Sequence, residues 1–396
     1  MQEAERLTKI SGGIFTEVDC LAKKISEEGK KVINLSIGSP DLPPYEGFRE
    51  KLAEYVLDPL NYGYALTDGI QDFRDAVAKW YFDRDQITLN PDTEILPLMG
   101  SQDGLSHIYW GFLNKGDIAL IPDPGYPIYH AGVLLTEATT YPLKLSPQNN
   151  FLPQLDLIPE EIAQKAKILF LNYPSNPLAA TATYDFFANV IEFAKKYDII
   201  ICHDFAYSEL AYDGYQTVSF MSVPGAKEVG IEFHSLSKTY NLAGCRIGFV
   251  VGNEKIINTL RKIKTNIDFG SFKALLKAGS YVLTDKNCQD YVKKTAGVYQ
   301  KRRDILVEGL SNLGWKMSKP KASMFIWAPI PECYKSSYDF TKQLAATAGV
   351  IVVPGIAFGS NGEGYVRIGL VQPEAVLAEA VSQVANNLAV INTARA

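Results

Sequence analysis

The sequence predicts an α/β fold built around a largely buried sheet, and three observations carry that reading. Short apolar runs at 94–99, 118–121, 139–143, 167–171, 198–202, 229–233 and 247–251 recur between stretches of helical periodicity. Strand-length runs alternating with helices are the pattern of an α/β protein. Some of these runs, Ile199-Ile200-Ile201-Cys202 above all, lack polar alternation, as strands covered on both faces do. Each run also ends in a short turn rich in Gly, Ser, Pro, Asn or Asp. Open α/β sheets hold ligands outside the carboxyl ends of their strands, so these turns are where chemistry is expected.

Composition narrows the class. At 396 residues the chain is long enough for two domains, or one large domain with a smaller partner. It is 47% apolar and 21% charged, ordinary for a globular enzyme. The net charge of −5 is spread rather than blocked, which gives no nucleic-acid surface. No apolar run is long enough to span a membrane, and Met1-Gln2-Glu3-Ala4-Glu5-Arg6 is unlike a signal peptide, so a cytoplasmic protein is expected. The five cysteines are scattered without a CxxC and read as reduced thiols. The four histidines have no ligand spacing, so no metal is expected.

In chain order, Val18 to Ile25 allows a helical turn or two, and Lys31 to Asp41 a short strand broken at Gly38-Ser39-Pro40-Asp41. Gly38 is a turn glycine or a place of close backbone approach. Phe73, Val77, Trp80 and Tyr81 form a helical core stripe. Gly100-Ser101-Gln102-Asp103-Gly104 leads into a helix carrying Leu105, Ile108, Tyr109 and Phe112. Its N-terminus is an ordinary cap or an anion cradle. Asp204 closes the apolar run 198–202. A carboxylate buried there unpaired would cost several kcal/mol, so it needs a cation, a structural salt bridge or a helix cap. Past residue 286 come an amphipathic helix near Asn287 to Leu313 and strands at Gly314-Trp315, Met324 to Trp327, Val350 to Val353 and Tyr365 to Gly369. Leu377, Val381, Val384, Leu388 and Ile391 give a last helix one packing face.

The stretch His234-Ser235-Leu236-Ser237-Lys238-Thr239-Tyr240 runs on through Gly244-Cys245-Arg246-Ile247-Gly248, between two apolar runs. A lysine so placed is poorly explained as a surface charge and well explained as an amine that condenses with a cofactor aldehyde. With Asp204, Asn176 and Gly100-Ser101-Gln102 upstream, this resembles the lysine motif of the class I/II aminotransferases, pyridoxal 5′-phosphate (PLP) enzymes of fold-type I.

The resemblance implies a large domain over 46–285 with a mostly parallel seven-stranded sheet between helices. It also implies a small α/β domain from 1–45 and 286–396. It makes Lys238 the cofactor lysine and general base, Asp204 the partner of the pyridine nitrogen, and Tyr207 and Asn176 the partners of the phenolic oxygen. Ser101, Gln102, Ser235 and Arg246 hold the phosphate, and Tyr126 stacks on the ring. Gly38 lies over the substrate and Arg367 fixes its α-carboxylate. Tyr64 reaches the cofactor of a second subunit, which implies a homodimer with shared sites. Leu178-Ala179 departs from the Thr-Gly more usual after Asn-Pro in this family. The runs around Ser101, Tyr126 and Lys238 look most like the LL-diaminopimelate aminotransferase branch, which exchanges an amino group with 2-oxoglutarate in lysine biosynthesis. Cofactor motifs do not specify the side-chain pocket, so alanine, aspartate or aromatic aminotransferases and a fold-type I C–S β-lyase stay open. A DNA-binding PLP regulator lacks the N-terminal length here, and a nicotinamide dehydrogenase lacks its GxGxxG.

Overall fold

The computed structural model describes residues 2–10 and 13–392; the remaining positions of the expected small domain lie outside the described residues. Among the described residues the twelve strands are β1 (Ile33–Asn34), β2 (Ile95–Leu98), β3 (Ile118–Asp123), β4 (Thr139–Lys144), β5 (Ala166–Asn172), β6 (Ile200–Asp204), β7 (Gly230–Ser235), β8 (Gly248–Gly252), β9 (Phe325–Pro329), β10 (Val350–Ile351), β11 (Val353–Pro354) and β12 (Tyr365–Gly369).

β2 to β8 form one seven-stranded sheet in the order β2-β8-β7-β6-β5-β3-β4. All pairs are parallel except those made by β8, which runs antiparallel to both β7 and β2. The expected sheet is therefore present, and β2, β3, β6, β7 and β8 are buried along almost their whole length. Aromatic and aliphatic side chains fill both faces: Phe73, Trp80, Phe187 and Phe220 pack on one, Tyr109, Tyr129, Phe170 and Phe233 on the other. A smaller sheet, β11-β12-β9, and the pair β1-β10 share a second core with the helices Lys286–Asn312, Ser337–Ala348 and Glu374–Ala385. That core also takes in Ala206, Tyr207, Leu210 and Tyr212. No described helix is long and apolar enough to cross a membrane.

Two expectations fail locally. Gly314-Trp315 is not a strand: the chain turns there, and Trp315 is buried as an anchor whose indole N–H donates to the Pro329 carbonyl at 2.7 Å. The last helix does not keep one face to Ile391. It stops at Ala385 and a short turn at Ala389–Asn392 follows, which leaves Leu388 exposed.

Candidate active site

The antiparallel insertion of β8 explains how distant residues meet. Gly248 pairs with both Ser235 and Leu98, so Arg246, two residues before β8, arrives at the edge where β7 delivers Lys238 and β2 delivers Gly100. Asp123, Asn172 and Asp204 end β3, β5 and β6 at the same edge. A cavity of about 270 Å³ opens there. Gly38, Ser101, Gln102, Tyr126, Asn176, Asp204, Tyr207, Ser235, Lys238, Arg246 and Arg367 all line it. Tyr64 does not. It stands 81% exposed against Phe269, outside its own chain's cavity.

Lys238 lies in the one-turn helix Leu236–Thr239, whose N-cap is Ser235; the Ser235 hydroxyl accepts the Ser237 N–H at 3.2 Å. Lys238 Nζ donates to the Gly38 carbonyl at 2.7 Å. Burial, and then the guanidinium groups of Arg367 and Arg246, pull its pKa down to about 8. The amine is still mostly protonated at pH 7, but it keeps a far larger neutral fraction than an ordinary lysine, which a nucleophile or base draws on. Around it, the helix Ser101–Phe112 begins at Gly100 with no side chain capping its first N–H groups. Gly100 has φ +75°, and a Cβ there would lie 2.4 Å from the Arg246 Nη2. Glycine lets the guanidinium and the open helix end converge on one point, which is the donor set a phosphate takes.

Asp204 is buried. Burial raises its pKa, while the Tyr129 hydroxyl and the Ala206 N–H, donating at 2.7 and 3.1 Å, work the other way. Among the described residues no basic side chain forms an ion pair with it. A carboxylate so placed calls for a cationic group from a ligand. Tyr129 was not singled out in the sequence, nor was Asn172, whose Nδ2 donates to the Asp204 carbonyl at 2.8 Å while its Oδ1 accepts the Asn176 N–H at 2.7 Å. Asn172 so fixes Asn176 beside Asp204. Ser237, inside the lysine motif, lines the cavity too, beside Phe325 and Phe15. Nothing in periodicity separates these side chains from core neighbours.

Arg367 closes the far wall. Its Nη1 donates to Asn176 Oδ1 at 2.9 Å and its Nη2 to the Ser36 carbonyl at 2.8 Å. Its guanidinium lies over Phe325 and Phe358, 4.2 and 4.9 Å from the ring centres. It is buried, Nε has no protein partner, and desolvation pulls its pKa down to about 10. A buried arginine with no counter-charge calls for an anion.

The match to the family described as aminotransferase class I and II runs over residues 30–384. The chain belongs to the class I and II aminotransferases. It is similar to an LL-diaminopimelate aminotransferase of Dehalococcoides mccartyi, 45% identical over 98% of this chain and 99% of that one. An LL-diaminopimelate aminotransferase of Moorella thermoacetica is 44% identical, over 97% of each chain. The substrate-bound structure of BacF from Bacillus subtilis superposes with a TM-score of 0.93 at 35% identity, over 98% of both chains. Aminotransferases of these classes depend on PLP, and the donor set fits it: a buried lysine of lowered pKa, a carboxylate lacking a cation, and an open helix end beside an arginine.

Proposed function

We propose that the enzyme transfers an amino group between LL-diaminopimelate and 2-oxoglutarate in lysine biosynthesis. The single observation that carries the substrate is the set of curated relatives at 42–45% identity, spanning nearly the whole chain, that bear the LL-diaminopimelate aminotransferase name.

PLP, when bound, supplies an aldehyde that receives the amino group and a ring that accepts the electron pair left on Cα. The residues do the rest. Ser101, Gln102, Ser235, Ser237 and Arg246 hold the phosphate, and Tyr126 covers the ring. Asp204 keeps a proton on the ring nitrogen, while Tyr207 and Asn176 bind the phenolic oxygen. Lys238 carries the cofactor between turnovers and, once free, takes the Cα proton on Nζ. Arg367 would bind the α-carboxylate and so orient the Cα–H bond for proton removal, and Gly38 would cover the substrate.

The reading includes a homodimer. Leu57, Leu60, Tyr62, Tyr64 and Leu66 are all more than 60% exposed, and Phe269 and Phe272 stand beside them. A second copy covering this patch would bring Tyr64 to the partner's phosphate site. It also includes a cytoplasmic location and the division into 46–285 and 1–45 with 286–396. The test is a half-reaction. LL-diaminopimelate added to the PLP form without keto acid should convert the visible band to that of pyridoxamine phosphate, and 2-oxoglutarate should restore it. Conversion by alanine, aspartate or an aromatic amino acid instead would keep the class and discard the substrate. Pyruvate and ammonia from a cysteine-type substrate would mark a lyase.

A further inference from the structure

Asp123 ends β3 and is 9% exposed. Its carboxylate turns away from the cofactor wall toward the loop between β11 and β12. Ser360 Oγ donates to it at 3.0 Å, the Asn361 N–H at 3.1 Å and Asn361 Nδ2 at 2.8 Å. Among the described residues no basic side chain pairs with it, so these loop donors, with their Coulombic share of a charge-assisted contact, hold it. The loop is shaped to receive it. Gly359 has φ +130°, and a Cβ there would sit 2.1 Å from Asp123 Oδ1. The Gly125 N–H donates back to the Phe358 carbonyl at 2.9 Å, so the two segments are pinned on both sides of the carboxylate.

One pinned segment leads to a ring that lines the cavity, the other to a ring that lies against Arg367. Three residues after Asp123 stands Tyr126, against the cofactor position. One residue before Gly359 stands Phe358, buried, edge-on to Phe15 and Trp327 and stacked beneath the Arg367 guanidinium. Phe358 and Phe325 both lie against that guanidinium, and only Nη1 and Nη2 have polar partners. The orientation of Arg367 therefore depends on where the Phe358 loop stays.

We propose that Asp123 is a positioning residue for substrate carboxylate binding: it latches the Gly359–Asn361 turn to the end of β3 and so fixes Phe358 against Arg367. This rests on the reading of Arg367 as the α-carboxylate site. The latch acts on a group common to all amino-acid substrates, so its loss weakens every substrate equally.

The experiment is a spectral titration of the PLP holoenzyme with LL-diaminopimelate and, separately, L-glutamate, on wild type, Asp123→Ala, Arg367→Ala and the double variant. Asp123→Ala should raise the apparent dissociation constant about tenfold for both amino acids. Its limiting half-reaction rate should fall by less than about threefold. PLP should survive dialysis as in wild type. The double variant should bind no more weakly than Arg367→Ala alone, since one residue acts through the other. Asn361→Ala, on the half-buried loop, should move the dissociation constant in the same direction by about threefold, and it serves if Asp123→Ala does not fold. Unchanged affinity in both loop variants, with affinity lost in Arg367→Ala, overturns the latch and leaves Arg367 in place. Loss for one amino acid only, or loss of PLP, also overturns it. Unchanged affinity in Arg367→Ala overturns the carboxylate reading and the latch together.

Discussion

At Asp204 one neighbour sets the charge that the proposed chemistry needs. Burial pushes its carboxyl toward the neutral acid, and the Tyr129 hydroxyl pushes it back. Tyr129 is itself held, its ring stacked on Phe170 at 5.0 Å and edge-on to Tyr126 at 5.8 Å. Tyr129→Phe removes the donor and keeps the ring, so the folded-state pKa of Asp204 rises further. The acid limb of the half-reaction rate should then move to higher pH, and the rate at neutral pH should fall about tenfold with PLP retained. A pH–rate profile superposable on wild type would show that Tyr129 does not govern this charge. The sequence made Asp204 legible because a carboxylate after a fully apolar strand demands a reason. Tyr129 was illegible for the opposite cause: a tyrosine in an apolar helix needs none. Lys238→Ala should abolish turnover in the same assay, and turnover at the wild-type rate would remove the lysine from the chemistry.

β6 and β7 carry the site on one end and a buried polar network behind it. Glu232, on β7, is fully buried and accepts hydrogen bonds from Tyr81, Ser219 and the Phe220 N–H, each at 2.7 Å. His203 on β6 meets it at 2.9 Å and His234 on β7 at 3.2 Å. Burial alone would raise the Glu232 pKa, but the hydrogen bonds and charges of His203 and His234 outweigh it and hold the carboxyl well below its ordinary value of 4.5. His203 and His234 adjoin Asp204 and Ser235, so the network fixes the two strand ends that present the site. A folded-state pKa below the unfolded one gives stability that is complete above pH 4.5 and declines as pH falls below it. Glu232→Gln should cost about 3 kcal/mol at pH 7, because the amide places N–H groups against donors. Its denaturation midpoint should also depend less on pH between about 5 and 3 than that of wild type; equal slopes would reject the assignment. The strands themselves were readable from apolar runs and their terminal turns. The network was not, since Glu232 sits mid-strand where alternation calls for a solvent-facing residue. The turn at Leu178-Ala179 was readable only as a departure: Ala179 has φ +53°, the left-handed region that the glycine usual there enters without strain.

At the scale of the molecule, the cavity gathers every expected contact except Tyr64, whose absence follows from its place on the exposed apolar patch. Composition could not reveal that patch, since singly exposed apolar residues are common on any surface; the fold makes it contiguous by setting 57–66 beside 267–272. The segment is braced from within its own chain. Thr67 and Thr265 share a hydrogen bond at 2.8 Å, and the buried Lys264 pairs with Asp103, just past Ser101 and Gln102, and with Asp268. Tyr64 is thus carried on a frame tied to its own chain's Ser101–Asp103 turn while standing outside the cavity that turn lines, which suits a residue donated to a neighbour. If sites are shared, chains lacking Lys238 and chains lacking Tyr64 must complement each other. Random reassembly makes half the dimers mixed, and each mixed dimer has one site with both residues intact, so a mixture of Lys238→Ala and Tyr64→Ala chains should recover about a quarter of wild-type activity. A site complete within one chain predicts only the average of the two parents, and that result would reject the shared site while leaving every contact of Lys238 in place.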